Sequence, residues 1–141
     1  MSQENVETVR QGLDAVNRRD KPAWLALCDP ELENLPPRDW PGSDPIRGAE
    51  PVFDFYVEVQ DAWEEDSPYE YGELIDAGND KVIARMSAEL RGKASGASVA
   101  WSYWQLITFR NEKVVRVEWF DERAEALEAA GLSEDSATEC R

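Results

Sequence analysis

Residues 81–120 read KVIARMSAELRGKASGASVAWSYWQLITFRNEKVVRVEWF, and the period of their apolar residues decides the fold. In 82–91, Val82, Ala84, Met86, Ala88 and Leu90 fall on one side, while Arg85, Ser87, Glu89 and Arg91 fall on the other. That alternation is the signature of a half-buried strand. Val115, Val117 and Trp119 oppose Arg116 and Glu118 in the same way. Between them, WSYWQLITF at 101–109 is apolar on both sides, which predicts a central strand whose second face is covered, most cheaply by another subunit. A further strand is expected at 69–76. The turns Gly78-Asn79-Asp80, Gly92 to Gly96 and Asn111-Glu112 are short enough to join these strands as an antiparallel meander.

Upstream the period lengthens to that of a helix. Val6, Val9, Leu13 and Val16 recur at helical spacing after Asn5, a candidate N-cap. Asp20, with Pro22 behind it, starts a short second helix through Trp24, Leu25, Leu27 and Cys28, stopped by Asp29-Pro30. A brief strand, Glu31 to Leu35, leads into PPRDWPGSDPIRG at 36–48, whose four prolines and two glycines predict a loop. Ala49 to Glu65 reads as a third helix with Val52, Phe55, Tyr56, Val59 and Trp63 on one face. The last helix, Glu122 to Ala130, is expected to start on Asp121 and to end at Gly131. Helices followed by long antiparallel strands define an α+β layout, with one domain over 1–132 and a polar tail over 133–141.

Composition narrows the chemistry. The 141 residues make one domain, and 15 Lys and Arg against 30 Asp and Glu give a net charge of −15. Such a charge repels phosphate backbones and anionic lipid, so neither nucleic acid nor a membrane is an expected partner. The absence of histidine excludes imidazole bases, Ser-His-Asp centres and His-ligated metal sites. No carboxylate spacing resembles an EF-hand or a two-metal site, so neither a metal nor a cofactor is expected. Cys28 and Cys140 lack CxxC spacing, MSQENVETVR has no apolar leader region, and no window reaches the about 18 apolar residues of a spanning helix. A reduced, cytoplasmic protein is the expectation.

Three stretches, ENVETVRQGLDAVNRRD, IRGAEPVFDFYVEV and KVVRVEWFDERAEALEAAGL, resemble in order and spacing the SnoaL-like polyketide cyclase and ketosteroid isomerase branch of the nuclear transport factor 2-like superfamily. The likeness covers residues 4–132. It implies a cystatin-like cone, a curved antiparallel sheet wrapped around N-terminal helices, with a deep apolar pocket and a homodimer through the outer sheet face. It also implies that Ala84, Met86, Ala88, Leu90, Val117 and Trp119 line or underlie that pocket.

The isomerase pattern is not met. Its carboxylate base falls on Leu35, next to Asn34; its helix tyrosine falls on Gly12; and its acid donor falls on Gln105 or Leu106. Only the hydroxyl of Tyr56 matches, so steroid isomerisation is not expected. Arg85, Ser87 and Glu118 stand near the positions of an epoxide-opening Asp-Arg-Asp set, with a serine replacing one carboxylate. The cyclase pattern places its carboxylate on Asp121, the candidate acid/base, which equally suits an N-cap. Tyr56, Tyr103 and Gln105 are the candidate groups for holding a carbonyl or enolate oxygen. An amide as deep in an apolar strand as Gln105 needs partners, either a ligand or a tyrosine hydroxyl. Trp40, in the proline-rich loop, would close the pocket mouth over a ligand or plug the open end of the cone. The substrate expected from these residues is an apolar, cyclic or polyketide-like carbonyl compound. A ligand-binding or dimerisation module without catalysis is the alternative.

Overall fold

The computed structural model describes residues 2–36, 44–61, 68–91 and 98–132. Trp40, Trp63 and the tail over 133–141 lie outside the described residues, as do the side chains of Leu90 and Arg91. Four helices, α1 (Ser2–Asn17), α2 (Lys21–Leu27), α3 (Ala49–Asp61) and α4 (Arg123–Ala129), accompany six strands: β1 (Cys28–Leu35), β2 (Ile46–Arg47), β3 (Glu70–Gly78), β4 (Lys81–Arg91), β5 (Ser98–Arg110) and β6 (Lys113–Phe120). The strands form one open, curved sheet in the order β2-β1-β6-β5-β4-β3. Every pairing is antiparallel except β1 with β6, which is parallel and was not anticipated by a simple meander.

Local chemistry fixes the joints. Asp20 caps α2 through a bond from the Ala23 N–H at 3.1 Å, with proline in the first turn as expected. Asn111 and Glu112 both have positive φ (53° and 64°), the geometry of a two-residue hairpin turn whose twist matches the flanking strands. Gly131, at φ 81°, ends α4, and the Leu132 N–H returns to the Leu127 carbonyl at 2.8 Å.

Several boundaries differ from the expectation. Asn5 lies inside α1 and is buried, because the helix already begins at Ser2. β1 starts at Cys28, and the loop contributes the two-residue β2, which pairs with Glu33 and Asn34. On α3 the deepest aromatic residues are Phe53 and Tyr56 rather than Phe55. The N-cap of α4 is Glu122, not Asp121; the Glu125 carboxylate accepts from the Glu122 N–H at 3.1 Å.

The sheet buries both faces. Its concave side packs Val82, Ala84, Met86, Ala88, Val117 and Trp119 against Val9 and Val16 of α1, Trp24 of α2, and Val52, Phe53 and Tyr56 of α3. On the convex side Ile75, Ile83 and Leu106 pack under Ala126 and Leu127 of α4, with Trp104 and Phe120 beside them. The apolar second side of β5 is therefore covered here by a helix of its own chain. The Arg123 guanidinium pins α4 down, donating to both Glu73 oxygens at 3.2 and 2.9 Å and lying 5.8 Å from the Trp104 ring centre.

Val115 corrects the parity count. A bulge between the Thr108–Arg116 and Phe109–Val114 pairs leaves one extra residue on β6. Val114 turns inward, and Val115 lines a groove on the convex face with Arg116 and Arg110.

Candidate functional site

The concave side closes over an apolar cavity of about 30 Å³. Thr8, Val9, Gly12, Leu13 and Val16 of α1 and Trp24 and Leu27 of α2 wall one side; Met86, Ile107, Val114 and Val117 of the sheet wall the other. Cys28, Tyr56, Tyr71 and Gln105 carry polar groups on its lining, as does Thr8, whose hydroxyl donates to the Glu4 carbonyl at 3.0 Å. Gly12 leaves room beside the Trp24 ring, where a Cβ would sit in ordinary contact at 3.5 Å. Trp24 is held in place by its indole N–H, which donates to the Ala49 carbonyl at 2.8 Å.

Three of these groups form one chain. Tyr71 donates its hydroxyl to Gln105 Oε1 at 2.9 Å, and Gln105 Nε2 donates to the Tyr56 hydroxyl at 3.2 Å. Gln105 is fully buried, and the two tyrosines answer the need for partners that its place in β5 creates. The Tyr56 hydroxyl, having accepted from Gln105, keeps its own proton to give; the Tyr71 oxygen, having donated, keeps lone pairs. Reversing the Gln105 amide would exchange these roles, still leaving one free donor and one free acceptor. Burial pushes the Tyr56 and Tyr71 hydroxyls well above the ordinary tyrosine value, so both are neutral donors and neither is a base. Burial likewise pushes the Cys28 thiol up to about 12 against the opposing pull of Lys113, which makes it an inert apolar wall.

Behind the cavity stands an aromatic layer. Trp119, the register partner of Gln105, has its ring 5.8 Å from that of Tyr56 and 5.9 Å from that of Tyr103. Its indole N–H donates to Asn34 Oδ1 at 2.8 Å.

Of the site residues expected from sequence, Tyr56, Met86, Gln105 and Val117 line the cavity, with Trp119 and Tyr103 packed next to it. Asp121 does not join them. It is exposed beyond the end of β6, and among the described residues no Asp, Glu, Lys or Arg lines the cavity. The interior position near the end of β1 is Asn34 rather than Leu35, and the interior position on β5 is Gln105, whereas Leu106 packs on the convex side under α4. Arg85 and Ser87 line a convex groove, and Arg116 and Glu118 share that side 4.0 Å apart, so the epoxide-opening trio is not assembled in the cavity. Tyr71 is the functional group that the sequence reading missed. It sits in EYGELID, where a tyrosine among acidic residues looks like surface, and only its pairing with Met86 brings it inward.

The fold, a curved sheet packed on helices, is similar to that of solved proteins described as nuclear transport factor 2-like and as cystatin-fold. A SnoaL-like domain model matches residues 9–117, and the chain belongs to that family. The fold is similar to that of Bal32a, from a soil-derived mobile gene cassette (TM-score 0.74, 18% identity, covering 84% of this chain and 88% of that one). It is also similar to a protein from Jannaschia sp. CCS1 described as a SnoaL-like polyketide cyclase (TM-score 0.70, 16% identity, 84% and 85% covered). A third relative, RV0760c from Mycobacterium tuberculosis, was crystallised in complex with estradiol-17beta-hemisuccinate (TM-score 0.67, 12% identity, 85% and 95% covered). Among curated proteins the chain has no significant sequence match. No helix among the described residues is long and apolar enough to cross a membrane.

Proposed function

We propose that this SnoaL-like protein binds a small, uncharged, largely apolar ring compound carrying a carbonyl or hydroxyl oxygen, held between the helices and the sheet. The observation that carries the reading is the Tyr71–Gln105–Tyr56 chain, which offers one neutral donor and one neutral acceptor in a cavity with no charged lining side chain among the described residues. An anionic ligand would lose its hydration there with no cation to compensate it. At about 30 Å³ the cavity is far below the ~300–1,000 Å³ of ligand pockets, so binding opens it by moving side chains such as Leu13, Trp24 and Leu27. Met86 and Val117 provide apolar contact, and Trp119 and Tyr103 back the wall.

Acid/base chemistry centred on Asp121 needs a substrate that reaches from the cavity to the end of β6. The binding reading needs no such reach and stands ahead of it. A cytoplasmic setting suits the free, buried thiol of Cys28. A homodimer through the convex face completes the proposal, and sedimentation at twice the 16.0 kDa chain mass would support it.

A melting-temperature titration with cyclohexanone and with cyclohexanecarboxylate tests the ligand class. At a hundred times its dissociation constant the ketone should add about 2.7 kcal/mol of stability. Gln105→Leu should abolish that gain. Equal stabilisation by the carboxylate would contradict the neutral-ligand reading.

A further inference from the structure

Asn34 is fully buried on β1, and its orientation is unambiguous. An indole N–H can only donate, so the atom 2.8 Å from Trp119 Nε1 is the amide oxygen, and Nδ2 is directed elsewhere. That Nδ2 has no hydrogen-bond partner, and among the described residues it is the one buried side-chain nitrogen or oxygen of which this is true. The surrounding polar groups are satisfied: Gln105 at both ends, the Tyr69 hydroxyl on the Tyr56 carbonyl at 2.9 Å, and Trp24 on Ala49. A fold that pairs these groups and leaves one amide idle calls for an explanation.

The idle amide lies next to the cavity wall. Asn34 pairs with Val117, which lines the cavity, and its tether Trp119 packs against Tyr56 with the rings tilted, where the cavity's polar chain ends. The cavity must enlarge to take a ring compound, and enlargement on the Trp119 side brings the ligand toward a residue whose oxygen is already held by Trp119. The Asn34 oxygen serves Trp119, and an acceptor alone would do that; the Nδ2 donor is useful only if something accepts from it.

We propose that Asn34 is a ligand-binding residue whose Nδ2 donates to a second acceptor oxygen, so that the ligand is an uncharged compound with two carbonyl-type oxygens, one at the Tyr56–Gln105 chain and one at Asn34. This rests on the binding reading above and adds the substrate class. Asn34→Met is the discriminating variant, because its thioether can accept weakly from Trp119 and it carries no donor, whereas a buried aspartic acid would keep a proton to donate. Calorimetric titration with cyclohexanone and with 1,4-cyclohexanedione should give about tenfold tighter binding of the dione to the wild type, the worth of one buried hydrogen bond. In Asn34→Met the dione's advantage over the ketone should disappear. A dione advantage that survives in the variant, or is missing in the wild type, overturns the role of Asn34 and leaves the binding reading intact. If neither probe binds the wild type, both fall. Should Asn34→Met fail to fold, the side-chain amide signals of Asn34 in ¹⁵N-labelled wild type decide the matter. They should shift and exchange more slowly with saturating dione and not with ketone, and amide signals indifferent to the dione refute the proposal.

Discussion

Gly12 is an unfavourable residue for the middle of a helix, costing about 1 kcal/mol relative to alanine. Its use here is spatial, because a methyl would sit in contact with the Trp24 ring and take up part of the cavity. Gly12→Ala should therefore raise stability by up to about 1 kcal/mol while weakening cyclohexanone binding several-fold, read by urea denaturation and by titration. Stability and affinity rising together would show that the cavity is not where the ligand sits. Gln105 works in the opposite sense, since it earns stability only through its two tyrosines. Gln105→Leu strands both hydroxyls in apolar surroundings and should cost about 1–3 kcal/mol for each.

At the scale of elements, α4 is short, seven residues, and a helix of that length does not hold together in water without tertiary packing. Leu127 and Ala126 give it a buried face over Ile83 and Leu106, and Arg123 ties it to Glu73 and Trp104. Leu127→Ala should lower the unfolding free energy by about 2–5 kcal/mol, the range for a truncated core leucine. Arg123→Ala should lower it by only about 1 kcal/mol, because the pair is partly solvated. Neither change should alter ligand affinity, since α4 and the cavity lie on opposite faces of the sheet. A Leu127→Ala cost below about 0.5 kcal/mol would mean that α4 is loosely attached and that the convex face needs another cover.

For the whole molecule, the buried tyrosines set an alkaline limit. Burial raises Tyr56, Tyr69 and Tyr71 above the reference value of 10.0, and Cys28 from 9.0 to about 12. The unfolded chain gives up these protons first, so the stability they contribute is complete below about pH 9 and is lost as pH rises beyond it. The urea midpoint should fall steeply between about pH 9 and pH 11, with the phenolate absorbance of these three tyrosines appearing together with unfolding. Gradual ionisation of all the tyrosines in the folded protein would refute their burial. The sequence made much of this architecture legible, because alternation in 82–91 and the turn at Asn111-Glu112 are local consequences of local residues. The interior side chains of β4 and the need of Gln105 for partners were readable for the same reason. Three features were not. The bulge at Val115 inverts a parity count that assumes regular pairing, the parallel β1–β6 pair brings distant segments together, and Tyr71 faces inward only because β3 pairs with Met86. Cavity size lies further still from the sequence, for it depends on how Trp24 packs over Gly12.

The central claim, that a neutral ligand occupies the cavity between α1 and the sheet, is most directly tested through methionine methyl groups. The chain has two methionines, Met1 and Met86, and Met86 lines the cavity. In protein labelled at the methionine methyls, titration with cyclohexanone should move the Met86 resonance saturably and leave that of Met1 in place, and Gln105→Leu should abolish the shift. A Met86 signal that stays fixed while calorimetry records saturable ketone binding would contradict the account and place the ligand elsewhere on the protein.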